Sequence, residues 1–432
     1  MATLPKSLLG QSRRNLSDSR RIARLSERPG LSAAPRWFAR ERQWIADEHL
    51  ALSRIAAPTF FEAKRASWCV EQFRALGWDA NLDRAGNVLA VSGSGIDGPL
   101  IALTAHLDTV LAPQRPEDII LSPDGKLDGP GVADNGSGLT ALITIARVLN
   151  ELPELRNIAS SVLVVANVGE EGEGNLSGMR YLCRPSPLLD RVKAFVVLDG
   201  PSLEHVTAQA LASRRYEVSF EGPGGHSWND QGIANPVHAL SHAISSFVQS
   251  AEALQQPGAC RLAYNFGIIE GGASINSIPA RALGKLDLRS EDPDLLEQSS
   301  SLLTTSVERA LELENRQARG SRISGRIRGL GSRPGGRLNP ESFLLKAIEA
   351  VDAHLSLRAA TNCASTDANI PLSLGLPAIS IGTGGKGGGA HTAHEWFHPE
   401  GRCLGLQRIL LLLAALSDEI ARSAEIPEST LA

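Results

Sequence analysis

Cysteine is scarce in this chain of 432 residues: the five, Cys69, Cys183, Cys260, Cys363 and Cys403, are odd in number, widely scattered and never arranged as C-x-x-C. That argues against a disulfide framework and for reduced thiols in a cytoplasmic protein. Long apolar runs are missing too. The longest, Ile409 to Leu416, falls well short of the roughly 18 residues a membrane span needs, so no membrane partner is expected. A basic surplus is also absent. The net charge of -4 and a pI of about 6.2 give no footprint for nucleic acid. No internal repeat or long low-complexity tract is present.

What is there reads as an ordinary globular protein, 42% hydrophobic and 21% charged, long enough for two cores. The stretch "SRRNLSDSRRIARL" at 12–25 begins like a twin-arginine export signal and is rich in arginine and serine like a transit peptide. No apolar segment follows Arg13 and Arg14, and Asp18 and Glu27 interrupt the basic run. Residues 1–35 are therefore expected to form a mobile or loosely docked arm.

From Arg36 to about Ala210 apolar strands alternate with helices, the mark of a layered α/β domain. Helices are expected at 37–55, 62–76 and 139–152, and strands at 87–91, 99–104, 161–168 and 192–198. The last three strands are continuous enough in aliphatic residues to be buried on both faces. Between 211 and 330 the pattern becomes β-α-β-β-α-β, the ferredoxin-like arrangement of one sheet with two helices on one face. After "GLGSRPGGR" the first pattern returns, with helices at 340–353 and 402–421 and a strand at 377–382. The expectation is a discontinuous α/β domain, 36–210 with 331–432, carrying helices on both faces of a mixed sheet and interrupted by an α+β domain at 211–330.

Polar residues gather where the buried strands end. Strand 99–104 runs into "AHLDTV" with His106 and Asp108. "DGPGVADNGSG" sets Asp134 just before a helix, "NVGEEGEGN" follows strand 161–168 with Glu170 and Glu171, strand 192–198 ends at Asp199, and "GTGGKGGGAHTAHEW" follows strand 377–382 with His391 and His394. Ligands of open α/β sheets bind beyond the carboxyl ends of the strands. Imidazoles and carboxylates are the donors preferred by zinc and similar divalent cations.

So many carboxylates in one crevice would be costly uncompensated. Two divalent cations, roughly 3.5 to 4 Å apart and sharing one bridging carboxylate, would neutralise them. The adjacent glutamates then make sense: one binds metal while its neighbour stays free as a base. A cation lowers the pKa of its water toward roughly 7, and the free glutamate can pass that proton to a leaving amine, which suits hydrolysis. Asp108, two residues beyond His106 in extended chain, is expected to accept the second imidazole N–H and hold the ring in its metal-binding tautomer.

These residues resemble the dinuclear zinc metallohydrolase superfamily that includes peptidase T, glutamate carboxypeptidase, bacterial dipeptidases and aminoacylase. The likeness runs over nearly the whole chain beyond Arg36 through "AHLDTV", "GPGVADNGSG", "GEEGEG", "VLDGP", "GPGGHSW", "NSIPARA", "LDLR", "STDANIPLSLGLPAISIG" and "HTAHEW". The resemblance implies that His106 and Asp199 bind one metal, Glu171 and His391 the other, that Asp134 bridges, and that Glu170 is the general acid/base. His391 is preferred to His394 because the family places its histidine four positions before a glutamate and an aromatic residue. The inserted domain would be a lid and a homodimer interface. His226 would stabilise the oxyanion in the partner's site, and Asn276 and Arg289 would hold the substrate's carboxylate or backbone.

Asp134-Asn135-Gly136 departs from the Asp-Asp or Asp-Met-Lys of many relatives and resembles a group of secreted zinc aminopeptidases, but these lack the inserted domain. The implied metal is zinc, with cobalt or manganese as alternatives. The implied activity is cleavage of small peptides in the manner of an aminopeptidase or dipeptidase, the "STDANIPLSLGLPAISIG" stretch being most similar to the peptidase T branch. An N-acyl amino acid amidohydrolase is the runner-up, and a metal-binding protein without turnover is the rival from another class.

Overall fold

A computed structural model describes residues 20–93, 98–255 and 260–425. The chain divides into two compact units, Met1–Gln209 with Arg337–Ala432, and Ala210–Gly336. None of the described helices is long and apolar enough to cross a membrane.

The first unit is built on one large mixed sheet. Its order is Trp78–Leu82, Val88–Ser92, Val162–Asn167, Leu100–His106, Val192–Leu198, Ala378–Ile381, His205–Ala210 and Gly336–Arg337, with Ala360–Ala364 paired to His205–Ala210. The four strands from Val162–Asn167 to Ala378–Ile381 run parallel. Leu100–His106 and Val162–Asn167 are buried at every position. Successive side chains of a strand point to opposite faces, so both faces are covered, as the unbroken aliphatic runs predict. Helices Gly136–Glu151 and Arg402–Glu425 both pack on Leu100–His106.

In this parallel register His106 lies beside Asn167, and Ile381 beside Leu198. The carboxyl ends of four strands are thereby level, and the segments that follow them start from one edge. A small sheet of Lys386–Gly388, Trp396–His398, Leu127–Asp128 and Ile120–Leu121 lies nearby in sequence. It pairs Trp396 with Asp128 and so brings the "HEW" segment against the loop that leads to Asp134.

The second unit has strands Ala212–Glu221, Leu262–Gly271, Arg281–Ser290 and Ser324–Arg333, with helices Pro236–Leu254 and Pro293–Gln317 between them. The sheet order is second, third, first, fourth, all antiparallel, which is the expected ferredoxin-like topology. Val218, Phe220, Leu286 and Leu288 from the sheet pack with Phe247, Leu296 and Leu303 from the helices in one core. The boundary expected at 330 needs correction. Residue 330 falls inside Ser324–Arg333, whose pairing with Ala212–Glu221 continues through a bulge at 329–331 to Arg333.

The expected arm is also corrected. Residues 1–19 lie outside those described, but 20–26 are helical and Pro29–Arg40 is a helix. Ile22, Leu25, Leu31 and Ala34 are buried, so this segment packs through an apolar face and is not a loose appendage. Arg21 and Arg28 pair with Glu419 and Asp418 at the far end of the chain.

Within the first unit, Arg408 is fully buried and donates from Nε and Nη2 to the two carboxylate oxygens of Asp352, both at 2.6 Å. This pair ties helix Phe343–His354 to helix Arg402–Glu425. Asp352→Ala would strand the guanidinium without its counter-charge, a loss of about 3–5 kcal/mol. We expect the first urea-unfolding transition of the variant to move to clearly lower denaturant. An unmoved transition would show that the pair carries no such weight.

Candidate metal centre

The central feature is a carboxylate that faces two imidazoles. Asp134 Oδ1 lies 3.1 Å from His106 Nε2, and its Oδ2 lies 3.1 Å from His391 Nε2. His391 Nε2 is also 2.9 Å from Glu171 Oε1. One donor atom from each of His106, Asp134 and Glu171 falls within 4.8 Å of the others. Asp199, at the end of Val192–Leu198, stands in the electrostatic field of both Asp134 and His106. His394 is exposed, and its backbone N–H donates to Thr392 Oγ1. Of the two histidines in "HTAHEW", therefore, His391 reaches the carboxylates.

Acidic groups outnumber imidazoles here, and their proton affinities show the strain. Burial first, then the charge of Glu170, pushes the Glu171 carboxyl up to about 7. Loss of solvation and next the charge of Asp134 hold Asp199 well above the usual carboxylate range. Burial pushes Asp134 upward as well, but the two imidazole contacts outweigh it and leave it low. His391 is raised to about 9, chiefly by its bond to Asp134. Oxygen and imidazole donors with surplus negative charge fit divalent cations.

Loop geometry explains how these groups are held. Gly169 has φ +64°, and a Cβ there would stand 2.2 Å from Ser177 Oγ, so only glycine turns the chain from strand Val162–Asn167 into Glu170. The turn is then clamped by Asp108, whose Oδ1 accepts from Glu170 N at 3.0 Å and whose Oδ2 accepts from Glu171 N at 2.9 Å and Thr59 Oγ1 at 3.0 Å. Asp108 therefore has a role beyond the one expected for it. His106 Nδ1 lies 2.9 Å from the Asp108 carbonyl oxygen and 3.6 Å from its carboxylate. The strand ends at His106, so the same-side rule for residues two apart no longer applies, and the backbone carbonyl takes the ring N–H. Asp108 positions the two glutamates through their N–H groups, and its carboxylate also stands beside the His106 ring, 3.6 Å from Nδ1.

The loop bearing Asp134 is braced by residues given no role from sequence. Glu395, 2% exposed, accepts from Gly131 N through Oε2 and from Ala133 N and Asp134 N through Oε1, all at 2.7 Å. His49 Nε2 lies 2.7 Å from Val132 O, while Arg402 Nη2 donates to its Nδ1. Asn135 caps helix Gly136–Glu151 through Gly138 N, donates to Leu198 O and accepts from Gly200 N. The Asn at this departure from the family pattern therefore holds the chain on both sides of Asp199. Buried Asp367 bonds Asn167 at 2.6 Å and is pushed up to about 7 by burial and by Glu170. Glu395 and Asp367 sit inside motifs quoted above, which was the available signal. Thr59 and Glu62, whose Oε1 accepts from Gly169 N at 3.1 Å, precede every motif and gave none.

The remaining expected residues lie in the second unit. His226 pairs with Ser277, and Ser227 N donates to Asn276 O, which brings His226 and Asn276 into one hairpin-like patch. Arg289 is elsewhere. The patch adjoins the Arg281 end of strand Arg281–Ser290 through Gly222 N to Ala280 O, and Arg289 is eight residues away, about 27 Å in extended chain. Its Nε bonds Asp287 at 2.7 Å.

The chain belongs to peptidase family M20/M25/M40, whose pattern matches residues 102–415. The metallohydrolase resemblance is thereby borne out. The chain is 27% identical over 238 residues to a putative LysW-lysine/LysW-ornithine hydrolase of Pyrobaculum aerophilum, covering 55% of this chain and 63% of that protein. It is 21% identical over 309 residues to a succinyl-diaminopimelate desuccinylase of Pseudomonas syringae, covering 67% and 77%. Its fold is that of a Staphylococcus aureus tripeptidase, with a TM-score of 0.69 and 22% identity over 88% of this chain and 98% of the other.

Glu395→Gln would set an NH2 donor against one of the three amide donors and loosen Asp134. Partners that orient metal ligands typically contribute about 10–100-fold in metal affinity. We expect cation affinity, read by titration calorimetry on metal-stripped protein, to fall within that range, and Glu395→Asp to recover part of it.

Proposed function

We propose that this protein is a metal-dependent hydrolase that cleaves a peptide bond in small peptides, in the manner of an aminopeptidase or dipeptidase. The observation that carries this reading is Asp134 set between His106 and His391, one carboxylate oxygen to each, the arrangement a bridging ligand requires. In this reading His106 and Asp199 hold one cation, Glu171 and His391 hold a second, and Asp134 is shared. Zinc is the first choice, and cobalt or manganese the alternatives. Bound cations would polarise the scissile carbonyl and make water a better nucleophile at neutral pH.

The chain's own groups supply the rest. Glu170, fixed through its backbone N–H by Asp108, takes a proton from the attacking water and returns it to the leaving amine. His226 accepts the N–H groups of Trp228 and Asn229 at Nδ1, so the neutral ring carries its proton on Nε2. That N–H is a ready donor for the oxyanion. Asn276, beside it, would bind the substrate backbone or carboxylate; Arg289, eight strand residues away and bonded to Asp287, is left out of this reading for a small peptide.

The unit Ala210–Gly336 would serve as lid and homodimer interface. Its edge strand, Leu262–Gly271, exposes Ile268 and Ile269, a surface suited to pairing with a second copy. A cytoplasmic location agrees with five scattered cysteines that form no disulfide. The second reading, hydrolysis of N-acyl amino acids, is favoured by relatives named desuccinylase and acetylornithine deacetylase.

Metal-stripped protein reloaded with zinc, cobalt or manganese, and screened against di- and tripeptides, N-acyl and N-carbamoyl amino acids, should cleave the peptides best. Glu170→Ala should keep its metal and lose about 10²–10⁴-fold in kcat. Protein that takes up no stoichiometric metal would end the proposal. If His226 acts across the interface, confirmed heterodimers of Glu170→Ala and His226→Ala subunits should regain activity that neither parent has, and silence there would place His226 within its own subunit or outside the reaction.

A further inference from the structure

Two short segments beside the candidate site expose large apolar side chains without leaving the scaffold. Phe60 and Phe61 are 63% and 72% exposed, and Val110 and Leu111 are each 42% exposed. Single exposed apolar residues need no explanation. These four come from segments that are paired: Pro58 bridges Thr109 in parallel, and Thr109 N donates to Ala57 O at 3.0 Å. Both apolar pairs therefore follow the bridge in the same chain direction, and a turn closed by Phe61 N to Pro58 O at 2.8 Å keeps the phenylalanines close to it.

The phenylalanines are stapled on either side. Thr59 Oγ1 bonds Asp108 Oδ2, the oxygen that also accepts Glu171 N, and Glu62 Oε1 accepts Gly169 N. Between these anchors Phe60 is held at φ +75°, a conformation bulky residues avoid and that structures retain chiefly where function uses it. The exposed rings are thus a fixed part of the loops that carry Asp108, Glu170 and Glu171. Val110 follows Asp108 by two residues.

We propose that Phe60, Phe61, Val110 and Leu111 form an apolar subsite that selects small peptides with a bulky apolar side chain next to the scissile bond. This rests on the peptidase reading of the neighbouring site. A substrate side chain laid against two phenyl rings and two aliphatic groups leaves water, and hydrophobic pockets commonly discriminate by about 10–200-fold.

The test is a matched series, Ala-Gly, Leu-Gly and Phe-Gly with the corresponding tripeptides, cleaved by metal-loaded wild type, Phe60→Ala, Phe61→Ala and the double variant. Wild type should prefer the leucyl and phenylalanyl substrates over alanyl by about tenfold or more in kcat/KM, and the double variant should lose most of that preference through KM. Metal content and melting temperature report whether the fold is intact, and Phe60→Leu should restore part of the preference. An unchanged ratio in folded, metal-loaded variants overturns the subsite. So does a loss confined to dimer formation by sedimentation, which would assign the surface to a second copy. Wild type that cleaves no peptide in the series overturns the peptidase reading itself, a result distinct from cleavage without preference.

Discussion

Asp134 meets its two imidazoles across 28 and 257 positions of sequence, and the geometry tolerates little slack because each carboxylate oxygen is committed to a different ring. Holding such distant groups in register is expensive in conformational entropy. The parallel sheet carries much of that cost by levelling the strand ends that launch His106, Glu170 and Asp199. Backbone amides do the finer work. The loop before Asp134 is fixed at three N–H groups by Glu395 and at one carbonyl by His49, so the shared carboxylate is aimed by its own main chain.

Acidic residues in this crevice have divided their tasks. Asp108 and Glu395 spend their oxygens on N–H groups, and Asp134 and Glu171 face imidazoles. Charge-assisted bonds to backbone N–H are strong where water is excluded. Asp108 and Glu395 can therefore keep their geometry whether or not a cation neutralises their neighbours. The same division explains the Glu170–Glu171 pair: one clamp, Asp108, fixes both residues through the main chain without using either side chain.

Much of this was legible in the order of residues. Unbroken aliphatic strands leading into His106, Glu170–Glu171 and Asp199 announce both a covered sheet and a crevice at its edge, and the family resemblance, through the spacing from His391 to Glu395, implies the histidine that reaches Asp134. Less legible was any contact made by main chain. The link between Asp108 and the Glu170 and Glu171 amides depends on where strand Leu100–His106 stops, and no pattern of side chains records that. Thr59 and Glu62 lie in a loop whose partners are more than 45 positions away, and composition gives no sign of it. The Arg-rich start misled for a different reason: its basic residues advertise a signal or an arm, while Ile22, Leu25, Leu31 and Ala34 are spaced to cover a core.

Splitting the first unit around Ala210–Gly336 has an effect on the order in which the chain can acquire structure. The inserted unit is contiguous, and its strands find one another locally. The large sheet needs Ala378–Ile381 beside Val192–Leu198, and helix Arg402–Glu425 must arrive before Arg21 and Arg28 meet their acidic partners. Contacts of such long separation form slowly, and domains emerge from synthesis in sequence order. The growing polypeptide therefore carries a finished module in its middle while the aliphatic strands on its amino-terminal side still wait for their last neighbour, a stage at which those strands are open to aggregation.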